Sequence, residues 1–513
     1  MGSARCLIGC TQVLPSPDEY VWRGLYFYKD GWTTQWYGDI SIVSGTPVAI
    51  NATRFPDENF RNFLLQQDYG RDGVLSEREI NDVIAIEVPS LDIKSLEGLQ
   101  VFKNLWGLDC NNNQLTSLDV LEDLKVYNLE CDNNQLTTLP TSILERVNIL
   151  SCQNNLLTSL NFSDNPNLAR LDCEGNQLTM LNLTNLPNLS WLTCSNNQLS
   201  TLTMNSSTGL EMLYCDGNQL TALDLSRFSR LKYLKCGNNQ LTTIDVQPCI
   251  QLVELNVSHN PLTTLDLSGL TALTRVDCSL CQIAGDGMTA MFNTLPHVTS
   301  GELRYLNDSS DEEGNTITNG CISRARNARW KVMCCIWDAY WTELTEAPEY
   351  TAIDEENFPD ENFRNWLLNQ YYGTDGKLSN IECQYVYEMD VKGLGIADMK
   401  GIELFPSLDW LNCSENCIRD EQMEELVFSL PQSKDCRLLV YNPAAPAEQN
   451  FCITTVVRIA NLKGWNVYYW DGNYWEHYQG EKAASGIKGD VNGDGEVGIG
   501  DIVAITNIMA GKE

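Results

Sequence analysis

The sequence predicts an α/β solenoid, in which short parallel strands stack coil on coil. Three observations carry this reading. Cysteines stand at 110, 131, 152, 173, 194, 215, 236 and 278, a spacing of 21 residues whose one missing step is Val257. A fixed period of 20 to 50 residues is the signature of a repeat architecture. An asparagine follows three residues after each step: Asn113, Asn134, Asn155, Asn176, Asn197, Asn218, Asn239 and Asn260. Leucines fill most of the remaining fixed positions.

One turn reads Leu168-x-x-Leu171-x-Cys173-x-x-Asn176-x-Leu178-x-x-Leu181-x-Leu183-x-x-Leu186. This resembles the leucine-rich repeat, over about residues 88–283. A short strand such as Leu171-Asp172-Cys173 points Leu and Cys inward and the residues between them outward. No coil is stable alone, because each buries its leucines against its neighbours. The inward asparagine can donate to and accept from the bare backbone of the turn, whose groups need partners once buried. Cys281 takes that column in the last coil. The cysteine column reads as a buried line of free thiols, since Cys packs as a small hydrophobe. Stacked strands hold equivalent Cβ atoms about 4.8 Å apart, wider than a disulfide's usual ~3.8 Å, and one straight line offers zinc no tetrahedral cluster.

The 513 residues allow roughly two to four domains. A formal charge of −34 disfavours phosphate binding, so no nucleic-acid partner is expected. No apolar run approaches the roughly 18 residues of a membrane span. The segment Phe55-Pro-Asp-Glu-Asn-Phe-Arg-Asn62 recurs as Phe358 to Asn365, each time ahead of an apolar helix, a D-G loop and a second helical stretch. These are read as EF-hand-like helical N-caps at 51–87 and 354–388. Ile283 to Pro296 matches Ile418 to Pro431, and each opens an α/β C-cap, at 284–350 and 418–482, with a single short repeat at 389–417. Residues 1–50 read as the remnant of a preceding α/β cap, because Trp22 to Trp32 resembles Trp465 to Trp475. The chain is therefore expected to begin inside a longer protein, which would account for the missing signal peptide of a secreted or cell-surface protein.

Calcium is the expected cofactor. In the stretch from Asp490 to Asp501, Asp490, Asn492 and Asp494 fall at loop positions 1, 3 and 5, Gly495 at the sharp turn, Glu496 at 7 and Asp501 at 12. Six to eight hard oxygens in this arrangement suit Ca²⁺. This small terminal calcium loop and the apolar helix after it, together 489–513, resemble one half of a type I dockerin. That resemblance implies a cohesin-like partner, although the family carries two such halves. Poorer loops lie upstream: Asp68, Asp72, Ser76 and Glu79 in one, and only Asp375, Ser379 and Glu382 in the other.

Outward strand positions fall three before, one before and one after each repeat cysteine. Over nine coils they carry eight acids against Arg170, Lys235 and Arg275. Among the acids are Asp172, Glu174 and Asp216. Trp191, Met212, Tyr214 and Tyr233 fall on adjacent strands, and grouped aromatics on one face suit a protein or glycan ligand. No HExxH, G-x-S-x-G, P-loop or Rossmann fingerprint is present, and the three histidines are scattered, so no enzyme is expected. The 21-residue coils and helical N-cap resemble bacterial internalin-like surface proteins. The expected function is non-catalytic extracellular recognition or adhesion. The alternative is a non-catalytic component of a polysaccharide-degrading assembly, docked through the tail.

Overall fold

The computed structural model describes residues 46–479, except 163–164, 205, 309, 311, 337–339 and 453, together with two short strands, Glu19–Val21 and Ser41–Val43. The calcium loop at 490–501 and most of the expected cap remnant at 1–50 lie outside the described residues. Two compact units divide the chain, the first holding residues 1–277 and 294–301, the second 278–293 and 302–513.

In the first unit a helix, Glu58–Gln66, precedes the solenoid. Asp57 caps it by accepting from the Phe60 N–H at 3.0 Å, and its other oxygen accepts from Lys94 N–H at 2.7 Å in the first turn of the solenoid. One carboxylate thus satisfies orphan donors of a helix and of a coil. Strands then follow in chain order: Ala85–Glu87, Gly107–Asp109, Asn128–Glu130, Ile149–Ser151, Arg170–Asp172, Trp191–Thr193, Met212–Tyr214, Tyr233–Lys235, Glu254–Asn256 and Arg275–Asp277. Each pairs in parallel with the next in an unshifted register. The strand occupies the three residues before the cysteine, one residue earlier than the sequence reading placed it.

The periodic positions do what their chemistry allows. Leu168, Leu171, Cys173, Leu178, Leu183 and Leu186 are all fully buried. Asn176 donates to the Cys152, Cys173 and Glu174 carbonyls at 2.9, 3.1 and 3.3 Å and accepts from the Leu157 N–H at 3.0 Å. The same set recurs from coil to coil, so the column replaces the hydrogen bonds that a tight, buried turn denies its own backbone. The residue before it turns left-handed, with φ near +51° at Asn154, +66° at Gly175 and +53° at His259, which accounts for the Asn, Gly and His found there. Every cysteine among the described residues is free, those of the caps included. In the repeat column the Cys173 thiol hydrogen-bonds onward to the Thr193 carbonyl at 3.5 Å, and burial pushes its pKa well up.

The second unit contains the residues that finish the repeats. Asn315 donates to the Cys278 and Tyr305 carbonyls at 2.8 and 2.7 Å and accepts from Ile283 N–H at 2.8 Å. It does the work of the column asparagine for the coil in which Cys281 stands at that place. Asn450 repeats this with Cys413, Val440 and Ile418. The helix Asn319–Asn327 and an antiparallel strand pair, Trp330–Ile336 with Tyr340–Glu343, precede the second N-cap helix, Glu361–Leu368. A five-stranded sheet follows, running from Glu388–Asp390 through Trp410–Asn412, Cys436–Tyr441 and Trp465–Trp470 to Trp475–His477. Its first four strands are parallel and the last is antiparallel.

Candidate functional site on the concave sheet

Outward side chains of the first unit's strands form three columns. Register sets Trp191, Met212 and Tyr233 in a line on consecutive strands, with Tyr214 in the column toward the cysteines. All four are half-buried. Trp191 is held by its indole N–H, which donates to the Thr193 hydroxyl at 3.2 Å. The structure therefore brings together the four residues that the sequence picked out.

It also adds what spacing alone does not reveal. The Arg170 guanidinium lies 4.3 Å from the Trp191 ring centre, and the Lys235 ammonium 4.4 Å from that of Tyr214. Two cations counted as opponents of the acids are thus drawn over aromatic faces. Each covers a flat ring surface that a sugar would need.

The acids are less free than their positions suggest. Asp172 is buried, at 7% exposure, and accepts from the Gln153 amide at 2.9 Å. Burial, with Asp132 and Glu174 adding, pushes its pKa up to about 6. Asp216 accepts from Gly237 N–H at 3.0 Å and the Ser195 hydroxyl at 3.3 Å, and burial raises its pKa too. Glu174 accepts from the Asn196 amide at 3.0 Å. Asp132, a residue of the same kind, accepts from Gln153 N–H at 2.7 Å and the Ser151 hydroxyl at 2.8 Å. These carboxylates brace one coil against the next. Asp172, Glu174 and Asp216, expected on the ligand-binding face, are thus each engaged by a donor of an adjacent coil. Further along, Glu254 pairs with Arg275 at 3.5 Å and Lys235 at 4.0 Å.

The upstream calcium candidates are engaged by neighbouring groups of the protein. Asp68 pairs with Arg71 at 2.7 Å, and Asp72 accepts from Val74 N–H at 3.1 Å. Ser76 and Glu79 form a capping box on the helix Glu77–Asp82, the Ser76 N–H donating to the Glu79 carboxylate at 2.9 Å. The second loop uses Ser379 and Glu382 in the same way, at 3.1 Å. No group of three or more His, Cys, Asp or Glu that could hold a metal occurs among the described residues. In both loops the Ser–Glu pair caps the start of the following helical stretch.

Sequence reasoning also missed Trp106 and Tyr127. They stand one residue before their strands, a column the count of strand positions never reached, and their rings lie 6.4 Å apart, tilted by 31°.

The fold and its concave sheet define a leucine-rich repeat solenoid. Residues 208–248 match the family model for leucine rich repeats (2 copies). Among solved structures, the chain is similar to the functional domain of InlJ from Listeria monocytogenes, described as including a cysteine ladder. That likeness has 23% identity, covers 82% of this chain and 81% of that one, and has a TM-score of 0.42. The internalin InlF of the same species is similar at 17% identity over 84% of this chain and 99% of that one, TM-score 0.44. A leucine-rich repeat protein of Leptospira interrogans is similar at 20% identity over 76% and 96%, TM-score 0.38. No curated protein matches the chain. No helix among the described residues is long and apolar enough to cross a membrane.

Proposed function

We propose that this chain is a non-catalytic recognition protein that binds a partner protein on its concave sheet, outside the cell. The observation that carries the reading is the strip of Trp191, Met212, Tyr214 and Tyr233 on three consecutive strands, flanked by Arg170 and Lys235. Clustered Trp, Tyr and Arg on a rigid surface are the composition of a binding hot spot. Ten short strands in unshifted register make that surface rigid. A protein is favoured over a glycan because the two cations already occupy ring faces.

The tail is the second part of the proposal. The ligand pattern of Asp490, Asn492, Asp494, Glu496 and Asp501 supports calcium binding there, and its dockerin-like form supports the rival role of a docked, non-catalytic subunit meeting a cohesin-like partner. Isothermal titration of the full chain with Ca²⁺, beside Asp490→Ala/Asp494→Ala, is expected to give one site that the variant loses. Equal uptake by both would remove the tail site.

The recognition reading is tested by presenting the immobilised full chain to a panel of purified extracellular proteins and to a glycan array. Trp191→Ala/Tyr233→Ala is expected to weaken the protein hit at least tenfold with the melting curve unchanged. Undiminished binding by the folded double variant would take this strip out of consideration.

A further inference from the structure

The first three coils differ from the rest of the sheet. Just before their strands, the exposed column carries Ile84, Trp106 and Tyr127, linked coil to coil by backbone bonds from Trp106 N–H to the Ile84 carbonyl (2.7 Å) and from Tyr127 N–H to the Trp106 carbonyl (2.8 Å). Ile84 is 62% exposed and Trp106 51%, and with the half-buried Tyr127, whose ring lies tilted against that of Trp106, they form an apolar shelf. Coils further on carry Asn148, Ala169, Ser190 and Glu211 in the same column and lack this shelf.

On the other side of these strands stands a row of acids in direct register: Glu87, Asp109 and Glu130. Neighbouring strands are about 4.8 Å apart, so the three carboxylates repel one another. The effect is visible at Glu130, whose pKa is raised first by burial and then by Asp109 and Asp132. Arg170, whose field does reach Glu130, is stacked on Trp191.

Between shelf and acids the floor is low. In register, it is Ala85 in the first coil, the hydrogen of Gly107 in the second and the Asn128 side chain in the third, so the low part lies over the first two coils. A Cβ added at Gly107 would meet, beyond its chain neighbours, only the Ala85 methyl at 3.9 Å. The result is a trough three residues wide, roughly 10 Å at strand rise. One wall is aromatic, the other is anionic, and the floor is small. A long aliphatic stem ending in a cation matches it, and guanidinium also packs on aromatic faces and pairs with carboxylates through two N–H groups.

We propose that the first three coils form a second docking site, separate from the Trp191–Tyr233 strip, for an arginine side chain presented by a partner protein. The arginine stem lies over Gly107 beside Trp106, and its head pairs with Asp109 and Glu130. Two strands, Ile149–Ser151 and Arg170–Asp172, lie between the trough's last strand and the first of the aromatic strip, a separation of about 14 Å, so either site can fail without the other.

The test uses the full chain and a fluorescein-labelled peptide, Gly-Arg-Gly-Arg-Gly, read by anisotropy. A second peptide replaces arginine with citrulline, which keeps the shape and loses the charge. The arginine peptide is expected to bind at least tenfold tighter than the citrulline peptide. Two variants keep the chain's charge: Trp106→Ala removes the shelf, and Gly107→Val fills the floor at a place where the added Cβ has room. Each is expected to weaken the arginine peptide at least tenfold, while Trp191→Ala leaves it unchanged and all three keep the wild-type melting curve. Equal affinity for the two peptides would overturn the proposal. So would unchanged binding by folded Trp106→Ala and Gly107→Val, since that would make the attraction a diffuse one to a −34 chain. If sedimentation showed Gly107→Val dissolving a dimer of the chain, the trough would instead belong to a second copy, which would also overturn it.

Discussion

The two N-caps share one sequence and most of one structure, yet they bury their acids differently. In both, an arginine ties the helix back to the residues before it: Arg61 donates to the Phe55 and Pro56 carbonyls, Arg364 to those of Phe358 and Pro359. Asp57 and Asp360 each bridge helix and coil, the latter accepting from Phe363 N–H at 3.0 Å and Ala397 N–H at 2.8 Å. A left-handed glycine sits under the first phenylalanine of each motif, Gly98 with φ +102° and Gly401 with φ +100°. The difference lies at the capping-box glutamate. Glu79 is half-buried, whereas Glu382 is 3% exposed.

What buries Glu382 is the polar interior of the second unit. Asp308, 5% exposed, lies beside the Ser379 hydroxyl and the Tyr350 phenol, but neither of its oxygens has a partner in good hydrogen-bonding geometry. Burial raises the pKa of both acids, and for Glu382, with Asp308 next among the causes, it reaches about 8. The same motif is therefore a plain helix start in one place and a proton-holding joint in the other. Context, supplied by residues far away in sequence, decides which.

The largest expected effect tests what the caps share. An alanine Cβ at Gly98 would fall 2.3 Å from the Phe55 ring and at Gly401 2.2 Å from the Phe358 ring, both in a backbone region that alanine disfavours. Gly98→Ala and Gly401→Ala should each cost about 4 kcal/mol, from conformational strain and overpacking together. Urea denaturation of the full chain measures this. A loss at only one of the two would break the equivalence of the caps.

The second effect tests what they do not share. A carboxyl whose pKa is higher in the folded than in the unfolded chain holds its proton more tightly when folded. Its stabilisation is full below the ordinary glutamate range near 4.5 and is lost as pH rises through about 8. The second unit should lose roughly 4 kcal/mol over that window. Glu382→Gln should flatten this slope and Asp308→Asn should reduce it. Melting curves at several pH values give the answer, and a slope that survives in the double variant would place its origin elsewhere.

Much of this was legible in the sequence, because a period of 21 fixes which residues face inward whatever the neighbours are. The strand columns and the asparagine column follow from that period. Asn315 and Asn450 were not legible, since they reach the column from outside the repeat. Ser76-x-x-Glu79 was legible but ambiguous: the same spacing serves loop positions 9 and 12 of a calcium site and a capping box, and only the placement of Asp68 and Asp72 separates the two. Asp172 and Asp216 looked like free surface acids because their partners are amide and hydroxyl donors of adjacent coils, which a column count does not show. Trp106 was lost for a simpler reason, standing one residue outside the columns considered.

A third prediction returns to what the caps have in common. Removing the bridge in Asp57→Ala or Asp360→Ala leaves donors of both a helix end and a coil unmet, and should cost about 2 kcal/mol in either cap. Hydrogen exchange should rise at Lys94 in the first case and at Ala397 in the second. Fast exchange confined to the helix would mean that the contact to the coil contributes little.

The smallest effect separates the loops themselves. The Asp68–Arg71 pair is exposed on both sides, 93% and 72%, where solvent screens the attraction, so Arg71→Ala should leave the melting temperature unchanged. Lys377 occupies the other loop differently. Its ammonium lies 4.3 Å from the Tyr350 ring centre and 3.5 Å from Asp375, and its charge eases the buried Asp308. Lys377→Met keeps the stem and removes that charge, so Asp308 should bind its proton more tightly still. The expected result is a loss of about 1 kcal/mol where Asp308 is ionised, shrinking as pH falls and Asp308 becomes neutral and no longer needs the cation. A loss that stays constant with pH would mean that Lys377 acts through packing on Tyr350 alone, and that the second cap's joint runs without it.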